Sequence, residues 1–139
     1  MRKALAIGIA TTLVVVSLAG CASKTASGAF KDGTYKAEQP LFDSYGWKGQ
    51  IEITINDGKI SNVVYNEVDK NGKFKRDDKQ YANKMKAENN VTPKEADEKL
   101  QKSLIDKQDT SKVDTVAGAT ETSKTFKELA DQALKDAKK

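Results

Sequence analysis

The chain contains no histidine and only one cysteine, Cys21. Without imidazole there is no histidine-based triad and no histidine general base. With a single thiol there is no zinc site of the usual Cys/His kind. One cysteine cannot close a disulfide within the chain, so the fold stands without covalent staples. A strong excess of one charge is missing too. Lysine and arginine number 24 against 20 acidic residues, and two of those bases, Arg2 and Lys3, stand at the very start. The lysines are interleaved with acids rather than clustered, a pattern that does not point to nucleic acid. Chemistry that these side chains cannot perform would have to come from a bound cofactor.

What is present begins with a three-zone segment. Arg2 and Lys3 are followed by an uncharged apolar stretch, Ala4 to Val16, and then by Ser17-Leu18-Ala19-Gly20 ahead of Cys21. This order reads as a secretory signal, and the apolar run is too short to span a bilayer comfortably. Leu18-Ala19-Gly20-Cys21 resembles the bacterial lipobox. That resemblance implies cleavage before Cys21, a diacylglyceryl group on its sulfur, and attachment to the outer face of a membrane. The alternative is an ordinary secreted protein cut near Ala19 or Gly20. The expected organisation is a signal peptide over 1–20, a lipidated flexible tether over 21–31 and one domain over 32–137.

Within that domain the spacing predicts strands first and helices later. A short strand is expected around Thr34 to Ala37, ended by Pro40. Next, Phe42-Asp43-Ser44-Tyr45-Gly46-Trp47 places three aromatics around a glycine in a loop. Gln50 to Ile55 alternates, with Ile51, Ile53 and Ile55 on one face. Asn56-Asp57-Gly58-Lys59 suits a type I′ turn, and Ile60 to Glu67 returns as the partner strand. A charged, weakly amphipathic helix is expected over Asp77 to Glu88, and the Lys75 to Lys86 run reads as a solvated face. Thr92-Pro93-Lys94-Glu95 carries an N-cap, a first-turn proline and a capping-box glutamate, opening a helix to about Lys107. A last helix is expected from about Ser123 to Lys138, with Phe126, Leu129, Ala130, Ala133, Leu134 and Ala137 in one stripe. The fold class is α+β: an antiparallel sheet built on a β-hairpin, with about three helices packed on it.

The segment Asp114-Thr115-Val116-Ala117-Gly118-Ala119-Thr120 resembles the flavinylation motif of the FMN-binding domain family. Asp32-Gly33-Thr34-Tyr35, Phe42-Asp43, Gly46-Trp47, the hairpin block and the Thr-Pro-Lys-Glu-Ala helix start resemble small lipoproteins of that family, in the same order. The resemblance implies FMN joined through a phosphoester to Thr120 by an FAD:protein FMN transferase. Asp114, Gly118 and Ala119 would be its motif neighbours. It also implies an extracellular electron carrier supplied by a membrane electron donor, rather than an enzyme with catalytic side chains of its own. The family usually has Ser or Thr where this chain has Ala117.

The residues themselves support an anion at this place. Thr120 falls just before the last helix, whose first N–H groups lack intrahelical partners and whose dipole end is positive. The simpler reading is that Thr120 or Thr122 caps the helix and Gly118 makes the turn. Tyr45 and Trp47 offer flat contacts to an isoalloxazine ring, with burial of Trp47 in the core as the alternative. Two other functions remain open: a solute-binding or structural lipoprotein that never acquires flavin, and release of a pheromone from the signal segment Leu13 to Gly20.

Overall fold

The computed structural model describes residues 28–139. The expected signal peptide, Cys21 and residues 21–27 of the tether lie outside the described residues. Three strands, β1 (Gly33–Glu38), β2 (Lys48–Asn56) and β3 (Lys59–Val68), form an antiparallel sheet in the order β1-β2-β3. A 3-10 turn (Lys75–Asp77) leads to helix α1 (Lys79–Asn89), then α2 (Pro93–Lys107) and α3 (Thr120–Lys135). The α+β expectation holds. Among the described residues no helix is long and apolar enough to cross a membrane.

The β2–β3 hairpin follows from its turn chemistry. Asp57 and Gly58 both take positive φ, 52° and 71°, as a type I′ turn requires. Asp32 fixes the turn from outside, accepting hydrogen bonds from the backbone N–H groups of Asp57 (3.0 Å) and Gly58 (2.7 Å). A register shift near Ile55 leaves Ser61 unpaired and turns Ile60 inward opposite Ile55, the effect of a bulge on alternation. Ile51, Ile53 and Ile55 face the core with Val63 and Tyr65, and α2 and α3 cover them through Leu100, Leu104, Phe126 and Leu129.

The helices match their sequence signals at different precision. At α2 the capping box is complete: Glu95 N–H donates to Thr92 Oγ1 (3.2 Å) and Thr92 N–H to Glu95 Oε2 (2.8 Å). Helix α1 starts two residues after the expected point, because Asp78 caps it by accepting from Tyr81 N–H (3.0 Å). Helix α3 starts and ends three residues early. The Ala119 carbonyl already accepts from Ser123 N–H at 2.9 Å. At the other end the chain leaves the helix after Lys135, and Lys138 pairs with Phe30 as an isolated bridge.

Candidate functional site

A hollow of about 650 Å³ opens at the end of the sheet opposite the β2–β3 turn. Its walls are the loop after β1 (Asp43, Ser44, Tyr45), α1 (Tyr81, Met85, Asn89) and the start of α3 with the two residues before it. Glu67, Lys75 and Thr122 reach it from below. Gly118, Ala119, Thr120 and Tyr45 all line it, so the expected site residues on the motif and the aromatic loop converge here. Asp114 and Trp47 are not among the lining residues.

Thr120 is the first residue of α3, not the residue before it. Its side chain is exposed, and its hydroxyl enters no hydrogen bond among the described residues. Ala119 occupies the cap position with no side-chain cap. The capping role open to Thr120 or Thr122 from sequence is therefore filled by neither. The turn before α3 is held instead by Ser123, which is fully buried. Ser123 Oγ accepts from Val116 N–H (3.0 Å) and donates to the Ala119 carbonyl (2.7 Å). Gly118 has a φ of 81°, and a Cβ there would lie 2.4 Å from the Asn89 carbonyl oxygen. Its missing side chain lets the motif turn seat against the end of α1. Ala119 is buried beside Met85, Val91 and Ala96.

Asp114 points away, with its carboxylate 2.6 Å from Lys107 Nζ and its side chain 89% exposed. The hydrogen bond from Lys107, and then its charge, hold this carboxyl below the usual carboxylate range. The three loop aromatics diverge. Trp47 is buried and meets Tyr81 edge-on, centroids 5.7 Å apart, while Phe42 and Tyr45 are exposed. Asp43 makes the loop rigid by accepting from Tyr45 N–H (2.8 Å) and Trp47 N–H (2.9 Å). Tyr45 is thus an aromatic ring held at the rim with 75% of its surface free.

The floor carries the residues that sequence reading missed. Lys75, assigned to a solvated face, is buried: its Nζ donates to Glu67 Oε2 at 2.8 Å, and the two side chains are only 8% and 6% exposed. Thr122 Oγ1 donates to the same oxygen at 3.2 Å. The ammonium also stands 5.0 Å from the Tyr81 ring centroid and 5.8 Å from that of Trp47. Burial pushes the lysine pKa down, but the charge and hydrogen bond of Glu67, with Tyr81 adding, outweigh it and the net shift is upward. Deeper in, Asp97 Oδ1, Arg76 Nε and Tyr65 OH are buried without hydrogen-bond partners among the described residues. Burial above all, and then the Glu67 charge, push Asp97 up to about 8 against the opposing pull of Arg76. Among the described residues no cluster of three or more metal-ligating side chains occurs.

The arrangement fits a flat nucleotide cofactor. The volume lies in the range of small-molecule sites, an aromatic ring stands at the rim, and a free hydroxyl sits in the first turn of a 16-residue helix. Lys124, four residues after Thr120 and also lining the hollow, lies on the same helix face, within reach of an anion held at that end.

Such a fold and hollow define a cofactor-carrying domain, and comparison gives its class: the chain belongs to the FMN-binding domain family, whose profile matches residues 45–135. It is similar to a 15 kDa lipoprotein of Treponema pallidum, 37% identical over 108 residues that cover 78% of this chain and 77% of the relative. A crystal structure of a Clostridium perfringens protein superposes with a TM-score of 0.75 at 39% identity, covering 78% of this chain and 88% of that one. A solution structure from Clostridium thermocellum gives 0.53 at 31% identity, covering 76% and 91%.

Proposed function

We propose that this protein is a lipid-anchored flavoprotein that carries FMN in phosphoester linkage to Thr120 Oγ1 and relays electrons from a membrane donor to external acceptors. The observation that carries the reading is the exposed, uncommitted Thr120 hydroxyl on the wall of the hollow, in a chain of the FMN-binding domain family. Anchoring through Cys21 on the outer face is supported by Leu18-Ala19-Gly20-Cys21 and by the lipoprotein relative. The attaching partner is an FAD:protein FMN transferase.

Bound FMN supplies one- and two-electron redox chemistry that no side chain here possesses. The chain's own residues hold and orient. Ser123 and Gly118 keep the motif turn in place, so that Thr120 stays at the helix start where the free N–H groups favour a phosphate. Tyr45 offers a ring face at the rim, and Tyr81 and Met85 give the wall apolar surface.

The test is co-expression of the full chain with the transferase, followed by acid denaturation and intact-mass measurement. Flavin should stay with the polypeptide and add the mass of one FMN, and Thr120→Ala should abolish both. A wild-type chain that weighs only its amino acids and lipid, from cells that flavinylate other proteins, overturns the reading. It would favour a solute-binding or structural lipoprotein, for which the exposed methyl of Ala117 in the motif is the supporting feature. Conjugation or signalling assays with a synthetic Leu13–Gly20 peptide test the pheromone alternative separately.

A further inference from the structure

We propose that Lys75 tunes the reduction potential of the flavin, its buried ammonium at the floor of the hollow supplying the positive charge that stabilises the reduced ring. This rests on the flavoprotein reading above and names a residue that the motif does not contain.

The ion pair beneath the hollow is not explained by stability. Bringing an ammonium and a carboxylate out of water costs more than their attraction reliably returns, and apolar residues of similar volume commonly serve a core as well or better. Yet Lys75 and Glu67 are both buried, and the surroundings give each of them further partners. Thr122 donates to the carboxylate, while the Tyr81 and Trp47 rings stand beside the ammonium. The hydrogen bond to Glu67 uses one of the three ammonium donors. A charged pair kept in a cleft at this cost points to work done on a ligand.

The charge balance of the lining says which work. Asp43, Glu67, Glu121 and Glu128 face Lys75 and Lys124, so acids outnumber bases around the hollow. Lys124 is exposed on α3, which leaves Lys75 as the buried cation of the lining. The oxidised isoalloxazine ring is neutral. When it takes two electrons and one proton it ends with one negative charge, spread over the N1 and C2 carbonyl edge. That charge would be opposed by the acidic walls and favoured by a fixed ammonium, because charge near this edge is one of the handles by which proteins tune flavins. Buried Trp47 then acts beneath the ammonium rather than against the ring.

The experiment measures the ratio of reduced to oxidised flavin in the loaded full-length protein at fixed ambient potential, with a dithionite-reduced indicator dye as the electron source. At the wild-type midpoint, Lys75→Met should lower that ratio at least tenfold, equivalent to about 30 mV for a two-electron couple. Lys75→Arg should restore it to within threefold. Glu67→Gln, which keeps the ammonium and removes its counter-charge, should raise it. A merely structural role predicts no such opposite pair of shifts. In protein carrying 15N-lysine, the Lys75 ammonium resonance should also move on reduction, whatever the electron-transfer rate. Unchanged ratios in Lys75→Met and Glu67→Gln, or shifts of the same sign in both, overturn the proposal while leaving the flavoprotein reading intact. If Lys75→Met does not fold, the sign of the Glu67→Gln shift and the resonance decide it. A wild-type chain that takes up no flavin overturns both.

Discussion

Ser123 is the pin on which the motif turn hangs, and its two hydrogen bonds make a sharp residue-scale prediction. Ser123→Ala leaves the Val116 N–H without its partner, which should cost about 1–3 kcal/mol. The check is a lower urea midpoint at unchanged slope, accompanied by poorer flavin loading. Gly118→Ala meets two penalties: a left-handed backbone, worth about 1–2 kcal/mol for a residue with a Cβ, and the 2.4 Å approach to the Asn89 carbonyl. Its urea midpoint should fall further than that of Ala117→Ser, which lies on the exposed side of the turn. Gly118, Ala119 and Thr120 were legible in the sequence because their arrangement is local. Glu67 and Lys75 were not, since a lysine followed by more charges reads as a wetted surface. The missed signal was parity. Val63, Tyr65 and Glu67 alternate onto one face of β3, so the inward glutamate required a cation that the sequence alone could not name.

Elements whose ends are written in side chains were read closely. The β2–β3 hairpin was fixed by Asp57-Gly58, and α2 by Thr92, Pro93 and Glu95. Helix α3 was misplaced by a turn because its start depends on the Ala119 carbonyl, a backbone event with no side-chain mark. One protective device was invisible in sequence. Gln108 on the cap of α2 accepts from Ile60 N–H (2.7 Å) and donates to the Ile60 carbonyl (2.8 Å), and Gln101 accepts from Tyr65 N–H (2.8 Å). These side chains pair an edge that would otherwise offer itself to another strand. Gln108→Ala should cost on the order of 1–3 kcal/mol for the groups left unpaired. It should also increase self-association, measurable by urea unfolding and by light scattering of concentrated protein.

Across the whole molecule, the buried Asp97 ties stability to pH. Its folded pKa is raised to about 8, against about 3.9 in an unfolded chain. The native state therefore holds a proton over that window that the unfolded state has lost. Its contribution is complete below the unfolded value and disappears as pH rises through about 8. The Lys75 shift is upward, so its contribution persists through neutral pH and is lost only above the ordinary lysine range. Melting temperature should fall between pH 5 and pH 8.5, and Asp97→Asn should flatten that decline. A slope unchanged by the substitution would assign the effect to other groups.

The two ends of the described chain meet far from the hollow. Gly28 packs against Gly58 at the β2–β3 turn, and Lys31 N–H donates to the Ala137 carbonyl at 2.7 Å. Helix α3, about 24 Å long at 1.5 Å per residue, runs from that junction to Thr120. Under the proposed anchoring, a lipid attached ahead of Gly28 holds the domain by its base, with the hollow at the far end like the bulb at the top of a lamp. On that reading the opening faces away from the membrane, toward soluble oxidants. A donor embedded in the lipid would then be reached only when the whole domain tips over.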